Sequence, residues 1–143
     1  MNKVLIDTNI WMDVILERPA FCAESKGVLM ACIEEDIPML IAATSLKDVF
    51  YFAAKSAGAY AGYRAVELVM QLADPAQVDA IVCEKAIALE RPDYEDGIVA
   101  ACALAEQSDA IVTRDEKAFH DLDIERYTPE QFWMKLGYQP ISL

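Results

Sequence analysis

Two apolar runs in this sequence end on an acid. Val4-Leu5-Ile6 stops at Asp7-Thr8-Asn9, and Ala110-Ile111-Val112 stops at Thr113-Arg114-Asp115. A carboxylate at the tip of a buried strand is placed for chemistry, because the strand fixes it while the loop beyond leaves it open to a ligand. Two further acids, Asp48 and Asp96, fall in the first turns of predicted helices. Clustered carboxylates repel one another in low dielectric and persist where a cation neutralises them. Their oxygens suit hard divalent ions, Mg2+ or Mn2+, which keep waters for substrate and nucleophile. Such an ion lowers the pKa of a bound water, orients it for in-line attack on phosphorus and stabilises the leaving oxygen. No protein nucleophile is then required, which suits a chain whose single histidine, His120, stands apart from any serine or cysteine dyad and is expected at the surface.

The elements that must position these acids follow from periodicity and punctuation. Val4–Ile6 reads as a strand, and Ile10 to Leu16 as a short helix capped by Thr8 or Asn9 and broken by Pro19. An amphipathic helix is predicted from about Phe21 to Asp36, a fully covered strand over Met39–Ala42, and a helix from Thr44 or Ser45 to Ala57, ended by Gly58. Ala59 to Leu72 completes a helical hairpin. Val78 to Val82 reads as a third strand, Glu84 to Glu90 as a short helix, and Tyr94 to Gln107 as a helix with Asp93 at its N-cap. Asp109 to Thr113 is the fourth strand, Arg126-Tyr127 a final short one, and Pro129 to Leu136 a terminal helix with Gly137 just past its end. Short apolar strands alternating with helices predict an α/β fold, a three-layer α/β/α sandwich around a mostly parallel sheet.

In such a sheet ligands bind beyond the carboxyl ends of the strands. Asp7 ends the first strand, Asp48 sits in the first turn of the helix after the second, Asp115 follows the fourth within two residues, and the Asp96 helix must begin where the strand after it ends, so all four acids share one rim. A purely structural role competes for each of the last three: Asp48 can pair with Ser45 in a capping box, Asp96 with Asp93, and Asp115 can cap the turn into Ala118-Phe119.

Composition narrows the class. A length of 143 residues fits one domain, residues 1–143. With 55% hydrophobic residues and no low-complexity block, disorder is not expected, and some apolar surface is available for a partner. Cys22, Cys32, Cys83 and Cys102 form no C-x-x-C and sit in apolar segments, which predicts reduced core thiols rather than zinc. No secretory or membrane-spanning run is present, so a cytoplasmic protein is expected. A formal charge of −12 argues against loose electrostatic binding of nucleic acid but is compatible with a cation site and with a basic partner.

These residues resemble the PIN-domain ribonucleases, especially the small single-domain toxins of type II toxin-antitoxin pairs (VapC-type). The resemblance is carried by Leu5-Ile6-Asp7-Thr8-Asn9, by Thr44-Ser45-Leu46-Lys47-Asp48 with Tyr51, by Asp93-Tyr94-Glu95-Asp96 with Ala100, Ala101 and Ala103, and by Ile111-Val112-Thr113-Arg114-Asp115 with Phe119. It implies Mg2+- or Mn2+-dependent hydrolysis of RNA phosphodiesters by Asp7, Asp48, Asp96 and Asp115, with Asp7, Asp96 and Asp115 as metal ligands. Asn9 and Thr113 would orient Asp7 and Asp115. Asp48 departs from the family's frequent glutamate, and a helical wheel sets it opposite the Leu46/Val49/Phe50 stripe. Asp93 competes with Asp96 for the third position. Lys47 and Arg114, with Lys55 and Lys117, would lie near the rim and contact RNA phosphates, or serve as ordinary solvated charges.

The resemblance also implies a homodimer and an antitoxin partner. Phe52, Tyr60, Tyr63 and Met70 belong either to such surfaces or to hairpin packing. Two rival functions stand beside this one. A small-molecule phosphohydrolase of the haloacid-dehalogenase kind also begins with an aspartate after a strand, but wants a second aspartate where this chain has Asn9. A non-catalytic PIN-like interaction module would keep the fold and bind no metal productively.

Overall fold

The computed structural model describes residues 1–119 and 121–139, so His120 lies outside the described residues. Its centre is a five-stranded, all-parallel sheet: β1 (Val4–Ile6), β2 (Met39–Ala42), β3 (Ala73–Ala76), β4 (Ala110–Val112) and β5 (Glu125–Tyr127), in spatial order β3-β2-β1-β4-β5. Among the described residues seven helices complete it: α1 (Thr8–Ile15), α2 (Cys22–Glu34), α3 (Ser45–Ala57), α4 (Ala59–Leu72), α5 (Ala80–Ala88), α6 (Tyr94–Ala105) and α7 (Pro129–Leu136).

Strand alternation sends side chains to two cores, one on each face of the sheet. Val4, Ile6, Met39, Ile41, Ala110 and Val112 join one apolar cluster, which includes Ile10, Val28, Val49, Val69 and Phe132 from α1 to α4 and α7. Leu5, Leu40, Ala42 and Ile111 point the other way, into a cluster with Val82, Ala86 and Val99 to Ala103 from α5 and α6. The result is the three-layer α/β/α sandwich expected from the sequence, with every residue of β1, β2 and β4 buried. Gly97 shows how tightly α6 is seated. A Cβ there would lie 3.2 Å from the Ala86 carbonyl oxygen of α5.

The third strand is a correction. It is Ala73–Ala76 rather than Val78–Val82, and it carries Asp74-Pro75, residues that read as a turn. An edge strand tolerates proline, because one side of its backbone has no ladder to complete, and β3 pairs only with β2. Asp79 instead caps α5, accepting from the Val82 amide at 2.9 Å. That bond converts the expected strand into the first turn of a helix that begins earlier than Glu84. The N-cap of α1 also differs: it is Asp7 itself, accepting from the Thr8 amide at 2.8 Å. None of the described helices is long and apolar enough to cross a membrane.

Candidate active site

Asp7 sits where β1 becomes α1, its backbone still tied to the sheet by a 2.9 Å hydrogen bond from its amide to the Val112 carbonyl oxygen. Its carboxylate is almost wholly buried and receives only neutral donors. Thr8 donates its amide to Oδ1 at 2.8 Å, Thr113 donates its hydroxyl to Oδ2 at 2.8 Å, and Asn9 donates its side-chain amide to Oδ2 at 3.3 Å. Burial pushes its pKa up, opposed by the Thr113 and Thr8 hydrogen bonds, reinforced by the charge of Asp115 and eased a little by the charge of Arg114. Thr113 also accepts from the Asp115 amide at 3.1 Å, so one hydroxyl links the tips of β1 and β4. Asp115 in turn accepts from the amides of Lys117 and Ala118, at 3.0 and 3.2 Å, fixing the loop that follows.

Across the rim, Asp93 caps α6 by accepting from the Glu95 amide at 2.9 Å. Asp96 occupies the first turn, and its pKa is pushed up to about 6 by burial and then by the negative charges of Asp7, Asp93 and Asp115, against the pull of Arg91. Asp96 thus feels the charges of Asp7 and Asp115, and Asp7 that of Asp115. Asp93, Asp96 and Asp115 line a cleft of about 430 Å³ with Arg91, Lys117 and Phe119. The Phe119 ring is buried and its backbone is left-handed (φ 67°), which anchors the cleft's far wall.

Asp48 lies in the first turn of α3. Burial would raise its pKa, but hydrogen bonds with Glu95 and Lys47 outweigh that and lower it. Its partner Glu95 is pushed up to about 7, first by that hydrogen bond and then by burial. Glu95 is therefore a rim acid that sequence reasoning passed over. The available signal was its position beside Asp96, in the same first turn of α6.

The basic residues are more constrained than the sequence suggests. Lys47 is 3.1 Å from Asp48 and its side chain is 77% exposed. Lys55 sits in the last turn of α3 against Tyr51, away from the rim, whereas Lys117 lines the cleft. Arg114 turns inward to a second buried acid, Asp13 of α1, with Nε and Nη2 at 2.6 and 3.0 Å from its two oxygens. Arg18 and the Ser25 hydroxyl complete the cage around Asp13, at 3.2 and 2.7 Å, while the Arg114 guanidinium stacks 3.9 Å from the Phe21 ring centre.

Comparison with known families matches the PIN domain over residues 3–117. The chain belongs to the PIN-domain family. Solved structures with similar folds include a toxin-antitoxin complex from Klebsiella pneumoniae, 22% identical, covering 89% of this chain and 98% of that one with a TM-score of 0.68. VapBC2 from Rickettsia felis, bound to a DNA fragment from its promoter, is 16% identical over 87% of this chain and 97% of that one, also at 0.68. VapC20 from Mycobacterium tuberculosis, a sarcin-ricin loop cleaving toxin, is 14% identical over 99% of this chain and all of its own, at 0.62. No curated protein matches.

This PIN domain does not hold a preassembled ligand cage: among the described residues no three Asp, Glu, Cys or His side chains are grouped so as to hold a metal ion. The donor chemistry nonetheless fits a hard divalent cation. Asp7 and Asp96 are both pushed up in part by neighbouring carboxylates, Asp115 among them, which favours a positive charge beside them. Beside them Asn9 Oδ1 is a buried acceptor without a hydrogen-bond partner among the described residues. A cation drawing the rim acids together would relieve both.

Proposed function

We propose that this PIN domain, residues 1–143, is a metal-dependent endoribonuclease and the toxin of a toxin-antitoxin pair, acting in the cytoplasm. The carrying observation is the crowding of Asp7, Asp96 and Asp115 at one sheet edge with no basic side chain bonded to Asp7. Asp7, Asp96 and Asp115 are the residues that hold Mg2+ or Mn2+. When bound, such an ion supplies an activated water and charge neutralisation at the phosphate. Thr113 and Asn9 keep the Asp7 carboxylate fixed in orientation, and the Thr113 hydroxyl aligns the Asp115 backbone with it. Asp48 and Glu95 act on each other across α3 and α6, which lowers Asp48 and pushes Glu95 up to about 7, so Glu95 is the rim acid placed to take up or return a proton near neutral pH.

The toxin reading rests on the likeness to toxin-antitoxin structures and on surface chemistry. Phe52, Tyr60, Tyr63, Leu68 and Met70 are exposed on the α3–α4 hairpin, an apolar face for an antitoxin or a second copy in a homodimer. The net charge of −12 favours a basic antitoxin segment.

The test is incubation of the purified protein with a mixed pool of tRNA, rRNA and mRNA, with Mg2+ and with chelator. Cut ends that appear only with the metal and vanish in Asp7→Asn support the reading. Cleavage unaffected by chelator refutes it. Hydrolysis of a small phosphomonoester with no action on RNA would replace it with a phosphohydrolase.

A further inference from the structure

The rim acids account for cutting a phosphodiester but not for how a chain of charge −12 retains a polyanion beside them. A cation lining the cleft would hold the polyanion; Arg114 turns away to Asp13 and Lys47 stands outside the cleft, which is lined instead by Arg91 and Lys117. Arg91 meets the requirement. It lies in the turn between α5 and α6, just before the Asp93 cap, and lines the same cleft as Asp93, Asp96 and Asp115. Its side chain is only 16% exposed, and its charge reaches Asp96 strongly enough to oppose the rise in that residue's pKa. Its Nη1 and Nη2 atoms form a two-pronged pair with the Asp121 carboxylate, the second at 2.8 Å. Its Nε is buried and has no hydrogen-bond acceptor among the described residues. A guanidinium fork matches carboxylate and phosphate oxygens alike, so a phosphate can share the Nη edge with the half-exposed Asp121 carboxylate or take its place.

We propose that Arg91 is a phosphate-binding residue of the cleft, held facing the acids by Asp121, and that it takes a phosphodiester oxygen of single-stranded RNA. This rests on the ribonuclease reading for its substrate class. A merely structural Arg91 would instead act as a strap between the α5–α6 turn and the segment after Phe119.

The experiment uses binding, so that it stands apart from cleavage. A fluorescein-labelled single-stranded RNA of mixed sequence is titrated by anisotropy with the full-length Asp7→Asn protein, alone and combined with Arg91→Gln or Arg91→Lys, across a range of salt. Arg91→Gln is expected to weaken binding about tenfold and to lower the slope of log affinity against log salt by about 0.7. Arg91→Lys keeps the charge and should keep the slope while losing a few-fold in affinity, which also serves if Arg91→Gln does not fold. Equal affinity and slope in all three proteins, or no binding by Asp7→Asn at low salt, overturns the assignment. If the wild type cuts no RNA yet the slope falls as stated, the ribonuclease reading fails while the phosphate site stands.

Discussion

Asp7 caps α1 and Asp13 lies within it, and both are buried, yet the protein treats the two charges in opposite ways. Asp13 meets two guanidiniums and a hydroxyl, so its charge is neutralised within the fold. Asp7 is hydrogen-bonded by an amide, a hydroxyl and a carboxamide, with no guanidinium bonded to it among the described residues, and feels the charge of Asp115 more than that of Arg114. Burying a carboxylate without a counter-charge is costly, and that cost is retained where something outside the chain supplies the charge. What separates a structural acid from a chemical one is thus the company it keeps, not its depth.

The comparison breaks most readily at Asp13. Asp13→Ala leaves Arg114 and Arg18 without their shared partner and should destabilise the fold by about 3–5 kcal/mol, read from denaturant melts. Asp7→Asn should do the reverse, with cleavage lost and the metal-free melting temperature unchanged or raised. An unfolded Asp7→Asn protein alongside a stable Asp13→Ala would invert the roles assigned here.

Next in size is the orienting hydroxyl. Thr113→Val should lower cleavage about 10–100-fold with little loss of helix signal in circular dichroism. Asp96 gives a pH test. Its pKa in the fold, about 6, exceeds its ordinary 3.8, so its stabilising contribution is complete below that ordinary value and is lost as pH rises through about 6. The metal-free protein should therefore melt at lower temperature as pH climbs through that window, and Asp96→Asn should flatten the fall. The smallest effect belongs to Lys47→Gln, where an exposed pair should cost no more than about 0.5 kcal/mol.

Much of the rim was legible in the sequence because its signals are local. Val4–Ile6 and Ala110–Val112 are unbroken apolar runs, and Asp93 and Pro129 are ordinary helix starts, so strands, helices and the shared edge followed from spacing. Asp13 and Arg114 were not legible as partners, since 101 positions separate them and only the folded sheet brings α1 to the loop after β4. Glu95 was hidden for a related reason: its partner Asp48 stands on a different helix. The third strand was missed because Asp74-Pro75 is turn chemistry in isolation, and only its place at the sheet edge makes it a strand.

The contrast between the two buried acids reduces to whether the rim takes up a cation. Titration calorimetry of the metal-free protein with Mn2+ measures that directly. Saturable binding by the wild type that disappears in a folded Asp7→Asn protein is the predicted result, and equal heats from both, or none from the wild type, would contradict it.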